Sequence, residues 1–276
     1  MSAGSNNRKV LLVVHPTRDD ARLYGEELTK LLVADGFVVS HDSAEGAEIA
    51  VVLGGDGTIL RAAQLCRGNE IPILGVNLGS VGFMAEINRP STKELLSSIA
   101  NKAYKFEPRL VVHYSIQRNQ KEISSGWALN EVVMEGMPGA MIQLFVQIDS
   151  RPLSRWGCDG VICATPTGST AYAFSVGGPV VWPEVPALVL LPIAAHALFS
   201  RPIVISQDSE IAIDVESDDA HLFADGFRRT DLKVGDRVVI TRDSQTVSLA
   251  HADASHFTDR LVAKFRLPVE GWRGEK

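Results

Sequence analysis

The chain has 276 residues, of which 45% are hydrophobic and 22% charged, a balance typical of a globular protein with a sizeable core. Its formal net charge of −6 argues against nucleic acid or an anionic membrane as a partner, because either would favour clustered Lys and Arg side chains. Cys66, Cys158 and Cys163 form no CxxC pair, so we expect a reduced, cytoplasmic setting, with neither a zinc site nor a disulfide framework.

The first residues and the apolar stretches predict neither secretion nor membrane insertion. Residues 1–9 are polar and lack an apolar h-region, so we expect a disordered lead-in. The longest apolar stretch, 187–199, contains Pro192 and His196 and is shorter than the ~20 residues that span a bilayer. We therefore expect no membrane partner, and we interpret His196 as a buried core histidine.

The first third of the chain predicts strands that alternate with helices. Apolar runs and helical spacing predict strands at 9–14, 37–40, 49–53 and 71–76 and helices at 19–35, 58–67 and 91–101. This alternation is typical of a Rossmann-like parallel sheet with helices on both faces, in which ligands bind beyond the carboxyl ends of the strands. We therefore expect an α/β domain over residues 1–108.

From residue 109 the pattern changes to short strands separated by polar turns. The predicted strands are 111–117, 122–129, 132–134, 143–148, 161–164, 188–191, 203–205, 211–215 and 237–241. This favours a mostly-β, β-sandwich-like second domain over residues 109–256. The final stretch, 257–276, has no clear hydrophobic period, and we expect it to complete the first domain.

The run Gly54-Gly55-Asp56-Gly57-Thr58 is the most informative motif, because it ends an apolar strand and opens a predicted helix. Its glycines let the backbone approach an anion such as phosphate, and the helix start directs N–H groups at that anion. A carboxylate beside phosphate makes sense if Asp56 faces a group that must lose a proton, which points to phosphoryl transfer onto a hydroxyl. The alternative is a structural turn in which Asp56 caps the helix. Arg61 is either a phosphate contact or a solvated side chain.

Two further motifs follow predicted strands. Residues 77–83, Asn-Leu-Gly-Ser-Val-Gly-Phe, predict a second close-approach loop whose Phe83 packs against a ring, or else a structural turn with a core Phe. Asn130 and Glu131 at a strand end are suited to hold a sugar hydroxyl or an exocyclic amine. The alternative for this pair is an outward-facing position on an edge strand.

The longest constellation, 158–175, concentrates small polar side chains around Pro166 and Gly168 and then opens a predicted helix. This arrangement predicts a polar helix start that hydrogen-bonds sugar, base or phosphate, or else an N-capped structural helix. Asp225-Gly226, by contrast, reads most simply as a surface turn.

In this order, the motifs resemble those of the NAD kinase family, and residues 177–202 and 257–274 resemble its actinobacterial members in particular. The resemblance covers almost the whole chain. GGDG alone is shared with diacylglycerol and sphingosine kinases, whereas the ordered set is specific. The resemblance implies ATP-dependent phosphorylation of the adenosine-ribose 2′-hydroxyl of NAD, with inorganic polyphosphate as a possible second donor and Mg²⁺ carried by ATP instead of a protein metal site. It also implies NAD between the two domains and a homodimer or homotetramer built through the second.

The resemblance also implies roles for individual residues. Asp56 is the expected proton acceptor, and Gly54, Gly55, Gly57, Thr58 and Arg61 are the expected phosphate contacts. The implied NAD-binding residues are Asp56, Gly57, Phe83, Asn130, Glu131, Asp159, Thr167, Thr170, Ala171, Tyr172, Ala173, Phe174, Ser175 and Ala194. Ala194-Ala195 departs locally from many relatives, with an expected effect on the nicotinamide side. Two alternatives stay open: a lipid or sphingoid-base kinase and a non-catalytic dinucleotide sensor.

Overall fold

The computed structural model describes residues 8–79, 82–85, 89–137, 139–217, 220–252 and 256–269. The expected lead-in lies outside these residues except for its last two positions, as do Ser80 and Val81 of the second loop and the tail from residue 270. The chain divides into two compact units, one from Met1–Pro108 with Val247–Lys276 and one from Arg109–Thr246. No helix in the described part of the chain is long and apolar enough to cross a membrane.

Helices lie mainly in the first unit, and strands predominate in the second. The helices are α1 (Asp19–Ala34), α2 (Asp56–Cys66), α3 (Thr92–Ala100), α4 (Tyr172–Ser175) and α5 (Phe257–Phe265). The strands are β1 (Lys9–Val14), β2 (Val38–Ser40), β3 (Ala47–Leu53), β4 (Ile73–Val76), β5 (Lys105–Arg109), β6 (Val112–Arg118), β7 (Lys121–Ala128), β8 (Glu131–Gly136), β9 (Ile142–Ile148), β10 (Arg151–Cys158), β11 (Gly160–Ala164), β12 (Ala187–Ile193), β13 (Ile203–Ser206), β14 (Ile211–Ser217), β15 (Ala220–Ala224), β16 (Arg228–Leu232), β17 (Arg237–Arg242) and β18 (Val247–His251).

The first unit is built on one sheet with the strand order β2-β1-β3-β4-β18-β5. Strand β1 pairs in parallel with β2 and β3, and β4 pairs in parallel with β3 and β18. The chain places β2 on one side of β1 and then β3 on the other, so the strand order reverses between β1 and β3. The loops that follow these two strands therefore diverge and leave a crevice at the carboxyl edge of the sheet, where α/β proteins bind ligands. The predicted α/β fold is confirmed.

The tail returns to the first unit earlier than the sequence analysis expected. Strand β18 already lies in the first sheet, between β4 and β5, so the returning segment begins at Val247. The prediction that the final stretch has no period was wrong over α5. Phe257, Leu261 and Phe265 follow one another at four-residue spacing, which places them on one face of the helix.

The second unit consists of two six-stranded sheets, in the orders β10-β9-β14-β17-β6-β7 and β13-β12-β11-β8-β15-β16. Alternate residues of both sheets form one core; Val132 and Met134 of β8 belong to it, and Trp156 of β10 is fully buried in it. Val133 points to the opposite face, where it packs in a second cluster with Ala173 and Val181. Both faces of the sheet that contains β8 are therefore covered, and the predicted mostly-β domain is confirmed.

Candidate active site

A cleft of about 390 Å³ lies at the carboxyl edge of the first sheet, where the strand order reverses. The loop after β1 and the start of α2 both line it, because Val14 and Leu53 are partners in the last register position of β1 and β3. The lining residues are His15, Pro16, Thr17, Gly55, Gly57, Thr58 and Arg61. The structure thus brings the predicted phosphate contacts together, apart from Gly54, and adds a segment, 15–17, that the sequence analysis missed. The sequence feature that could have identified this segment was its position directly after the apolar strand β1.

Close packing explains why the first residue of the loop, Gly54, is a glycine. A Cβ on Gly54 would lie 2.4 Å from Thr58 Oγ1, so no larger residue fits there without displacing the first turn of α2. The Gly54 N–H donates to Val76 O at 3.1 Å, which joins the loop to the end of β4. Around Gly57 a Cβ would meet nothing within 4 Å, and the residue is exposed. The loop is therefore anchored at Gly54 and open at Gly57.

Asp56 is the first residue of α2 and does not cap it. The cap position is Gly55, so the structural alternative raised for Asp56 is wrong. Its carboxylate instead accepts two backbone hydrogen bonds, from Phe83 N to Oδ2 at 2.9 Å and from Met84 N to Oδ1 at 3.1 Å. A carboxylate has about four lone-pair sites, so each oxygen keeps acceptor capacity for a substrate proton. The side chain is half-buried and fixed in orientation.

The segment 82–85 forms the other side of this carboxylate. A Cβ on Gly82 would lie 2.3 Å from Asp56 Oδ1, so glycine is required for the backbone to approach this closely. The ring of Phe83 is 5% exposed and packs against Phe257 and Phe265, with centroids 5.9 and 5.8 Å away. Neighbours from its own chain therefore surround the ring, as in the core-Phe alternative. The group of Phe83 that contacts the Asp56 carboxylate is its backbone N–H.

In the second unit, Asn130 and Glu131 are buried, with exposed fractions of 7% and 5%. Strand β8 lies inside its sheet, so the outward-facing alternative for this pair is wrong. Asn130 Oδ1 and Glu131 Oε2 have no hydrogen-bond partner within the described residues. Burial, with a smaller contribution from the charge of Asp225, raises the pKa of Glu131 to about 8 despite a hydrogen bond from the Tyr172 backbone. An unsatisfied buried oxygen on each of two consecutive residues indicates a site for a ligand that supplies hydrogen-bonding groups.

Asp225, interpreted from the sequence as a surface turn, is buried behind this pair. Its carboxylate accepts hydrogen bonds from Leu129 N at 3.1 Å and from Asn130 N at 2.6 Å. It also forms an ion pair with Arg228, whose guanidinium lies 4.2 Å from the ring centroid of Trp127. Burial raises the pKa of Asp225, although these hydrogen bonds and the charge of Arg228 oppose the increase. The residue therefore fixes the backbone at Asn130.

The hydroxyl-rich loop after β11 uses most of its polar groups internally. Thr165 Oγ1 donates to Leu129 O at 2.5 Å, and Ser169 Oγ donates to Pro166 O at 2.7 Å. Thr170 Oγ1 donates to Thr167 O at 3.2 Å, and the Thr167 side chain accepts from Arg109. The helix expected here is the four-residue α4 after a 3₁₀ turn, which is too short for the predicted polar helix start. The loop's main effect is to hold its backbone against Leu129 and Asn130.

Tyr172 connects the two ends of β8. Its backbone N–H donates to Glu131, and its hydroxyl donates to Glu135 Oε1 at 2.8 Å. The two carboxyl-bearing residues are four positions apart, which is ~14 Å along a strand. Tyr172 and Phe174 are 37% and 40% exposed, whereas Ala173 is fully buried. Of the remaining α4 stretch, Ala171 is half-buried and Ser175 is exposed.

Asp159 and Ala194 meet at the far end of this sheet. Asp159 N donates to Ile193 O at 3.0 Å, and both Asp159 and Ala194 are exposed. Ala194 has a φ of 47°, in the left-handed region that non-glycine residues rarely adopt. His196, expected in the core, is exposed; its backbone N–H donates to Gly157 O. Strand β12 ends at Ile193, within the apolar stretch 187–199 that predicted burial, so His196 lies beyond the strand.

Comparisons with known proteins agree with this architecture. Residues 38–104 match the family model of the ATP-NAD kinase N-terminal domain, and residues 129–252 match that of the ATP-NAD kinase C-terminal domain. An NAD kinase of the actinobacterium Thermobifida fusca is 44% identical, over 98% of this chain and 93% of its own length. The structure of yeast NADH kinase complexed with NADH has a TM-score of 0.86 at 24% identity, covering 98% of this chain and 90% of that one. An NAD kinase from Archaeoglobus fulgidus in complex with ATP has a TM-score of 0.71 at 28% identity, covering 94% and 98%.

Proposed function

The chain belongs to the NAD kinase family, and from this premise we propose that it transfers a phosphoryl group from ATP to the adenosine-ribose 2′-hydroxyl of NAD, giving NADP. One observation is the main support for assigning phosphoryl transfer to this site. The Asp56 carboxylate is held at the start of α2 by two backbone N–H groups, and its neighbours Gly55 and Gly57 line the cleft at the strand-order reversal. A fixed carboxylate beside a cleft lined by the glycine loop and a helix start is suited to phosphoryl transfer onto a hydroxyl.

Asp56 is the proton acceptor in this proposal. The 2′-oxygen forms a bond to the γ-phosphorus as the bond from that phosphorus to the β,γ-bridging oxygen breaks, and ADP leaves. The hydroxyl proton passes to a carboxylate oxygen of Asp56. Phosphoryl transfer depends mainly on positioning and charge stabilisation, so the fixed orientation of the carboxylate matters as much as its basicity.

The phosphates of ATP are assigned to the cleft. Gly55, Gly57 and Thr58 present the start of α2 there, and the exposed Arg61 supplies a positive charge. Within the described residues no three His, Cys, Asp or Glu side chains are grouped to hold a metal ion. We propose that Mg²⁺ arrives on the nucleotide, because Mg²⁺ at phosphoryl-transfer sites is held mainly by substrate phosphates and waters, with one or two carboxylates. When bound, the ion neutralises charge on the phosphates.

Several residues are proposed to recognise NAD. Asn130 and Glu131 offer buried acceptors for ribose hydroxyls or an exocyclic amine, which is why their unsatisfied oxygens support the assignment. The loop after β11, helix α4 and the positions that follow β10 and β12 supply most of the remaining proposed set. The full set consists of Thr167, Thr170, Ala171, Tyr172, Ala173, Phe174, Ser175, Asp159 and Ala194 together with Gly57 and the backbone of Phe83. The ~14 Å between Glu131 and Glu135 suits an extended ligand.

The proposal also covers the oligomeric state of the protein and its cellular location. We assign a homodimer or homotetramer built through Arg109–Thr246, supported by large exposed apolar side chains on that unit, such as Leu198 and Phe199. Sedimentation equilibrium would test this, and a monomer at micromolar concentration would contradict it. Three buried free thiols, Cys66, Cys158 and Cys163, support a cytoplasmic location.

The deciding experiment measures NADP formation with Mg²⁺, NAD and either ATP or inorganic polyphosphate, in parallel with an Asp56→Asn variant. We expect NADP with ATP, and a ~10²- to 10⁴-fold lower kcat in the variant because it lacks the base. NAD binding without product in the unsubstituted protein would favour the sensor alternative. Phosphorylation of diacylglycerol instead of NAD would favour the lipid-kinase alternative, which family membership already disfavours. Near-normal turnover by Asp56→Asn would leave the family activity intact but remove Asp56 as the base.

A further inference from the structure

A buried arginine of the returning tail contacts the residue that holds the Asp56 carboxylate. Arg260 on α5 is 3% exposed, and its Nη1 donates to Phe83 O at 3.1 Å. The N–H of the same Phe83 donates to Asp56 Oδ2 at 2.9 Å. A single residue therefore separates the guanidinium from the proposed base.

The other arm of Arg260 is fixed by a histidine and a glutamate. Arg260 Nη2 lies 2.8 Å from His251 Nδ1, and His251 Nε2 lies 3.1 Å from Glu107 Oε2. Guanidinium has no acceptor, so Nδ1 must accept and the ring proton must be on Nε2, which donates to Glu107. The chain of hydrogen bonds has one consistent direction, from Arg260 through His251 to Glu107. It requires the neutral form of His251.

We propose that Arg260, held by His251 and Glu107, is a positioning residue for the catalytic carboxylate of Asp56. This inference rests on the proposed function. Its physical basis is that two sets of contacts confine the segment 82–85. A Cβ on Gly82 would come within 2.3 Å of Asp56 Oδ1, and Arg260 donates a hydrogen bond to the Phe83 carbonyl.

Packing and hydrogen bonding have separable roles in this arrangement. Phe257 and Phe265 pack against the Phe83 ring and hold the segment near α5 through apolar contacts. Those contacts restrict the ring but do not fix the rotation of the peptide groups on either side of Phe83. The hydrogen bond from Arg260 does fix one of these rotations, because the Phe83 carbonyl shares its planar peptide group with the Met84 N–H, which donates to Asp56 Oδ1 at 3.1 Å. Loss of Arg260 should therefore alter the angle of the carboxylate while the helix stays docked.

The test compares Arg260→Met with Leu261→Ala, a substitution of a buried apolar neighbour on the same helix that touches none of these hydrogen bonds. We expect Arg260→Met to lower kcat about 10- to 100-fold, with KM for NAD and ATP within about threefold, because a ~1 Å misplacement of a catalytic group costs about 10²-fold. Leu261→Ala, assayed at the same interval below its own melting temperature, should keep kcat within about threefold. A kcat for Arg260→Met within threefold of the parent, or equal kcat losses in both variants, would overturn the proposal.

A second pair keeps the proposal testable if Arg260→Met does not fold. Gln at position 251 offers a neutral acceptor and a donor, as the assigned tautomer does, whereas Leu offers neither. We therefore expect His251→Gln to keep kcat within about threefold and His251→Leu to lower it about tenfold or more. Equal kcat values for the two would overturn the proposal. The Asp56→Asn assay, run alongside, separates failure of this inference from failure of the proposed function. If Asp56→Asn loses activity while Arg260→Met and His251→Leu keep the parental kcat, only the positioning inference fails.

Discussion

Replacing Gly82 with alanine adds one methyl group at the most crowded point of the candidate site. The new Cβ would lie 2.3 Å from Asp56 Oδ1 and 2.8 Å from Asp56 Cγ, whereas real Cβ contacts under 3.0 Å essentially never occur. The perturbation is therefore steric and is directed at the carboxylate.

The distance sets the expected size of the effect. To reach ordinary van der Waals separation, the carboxylate or the 82–84 backbone must move by roughly 1 Å. A displacement of that size lowers the reaction rate about 10²-fold when the displaced group is catalytic. The two hydrogen bonds to Asp56 at 2.9 and 3.1 Å would lengthen by a similar amount. We expect kcat to fall about 100-fold and KM for ATP to change less than threefold.

The assay is steady-state NADP formation, with Gly68→Ala as the matched control. Gly68 has open space around its Cβ position and no positive φ, so alanine there should be neutral or stabilise by about 0.4–1 kcal/mol. The double variant Gly82→Ala/Asp56→Asn should be no slower than Asp56→Asn alone, because both changes remove the same function. A fully folded Gly82→Ala variant with parental kcat, or additive losses in the double variant, would refute the reasoning.

Two further predictions concern the buried acids of the second unit. Asp225→Asn should lower the unfolding free energy by roughly 1–3 kcal/mol, because it removes the charge that pairs with the half-buried guanidinium of Arg228 and weakens the hydrogen bonds to the Leu129 and Asn130 N–H groups. Movement of Asn130 should also raise KM for NAD. Urea denaturation and initial rates check this, and a stability loss with unchanged KM would contradict the link to Asn130. Burial raises the pKa of Glu131 from 4.5 to about 8, so the folded state binds more protons than the unfolded state between these values and stability should fall as pH rises from about 4.5 to about 8. Glu131→Gln should flatten this part of the urea-denaturation profile, and identical slopes in both proteins would show that Glu131 is not the cause.

Local sequence signals were sufficient for the part of the site that one strand–loop–helix unit builds. The apolar run before Gly54 predicted β3, and the glycines predicted a loop at its carboxyl end, where the cleft lies. Strand alternation also predicted β1 and β4, whose neighbouring loops share that edge. These features depend on residues a few positions apart, which is the range that hydrophobic periodicity and turn chemistry report on.

The rest of the site depends on contacts that no local pattern encodes. Asp225-Gly226 has the composition of an exposed turn, and only the pairing of β15 with β8 shows that its carboxylate lies under Asn130. One of the two interpretations of Phe83 placed its ring against a ligand ring, whereas the ring packs against α5 and the backbone holds Asp56. The hydroxyls after β11 looked available for binding, but hydrogen bonds within the loop use most of them. In each case a tertiary partner decides which atom of the residue is functional.

The long sequence separation between the tail and Asp56 adds only a small free-energy cost to their contact through Phe83. Phe83 binds Asp56 across 27 positions, and Arg260 binds Phe83 across 177. Because loop-closure entropy grows only with the logarithm of length, closing the longer loop costs about 2 kcal/mol more than closing the shorter one. A hydrogen bond to a charged donor contributes about 1.5–3 kcal/mol, and each aromatic contact of Phe83 adds about 0.5–1.5 kcal/mol. These contacts are large enough to offset the added entropy, so a helix from the end of the chain can orient a carboxylate near its beginning. Orientation of the proposed base is therefore complete only when the tail has folded back.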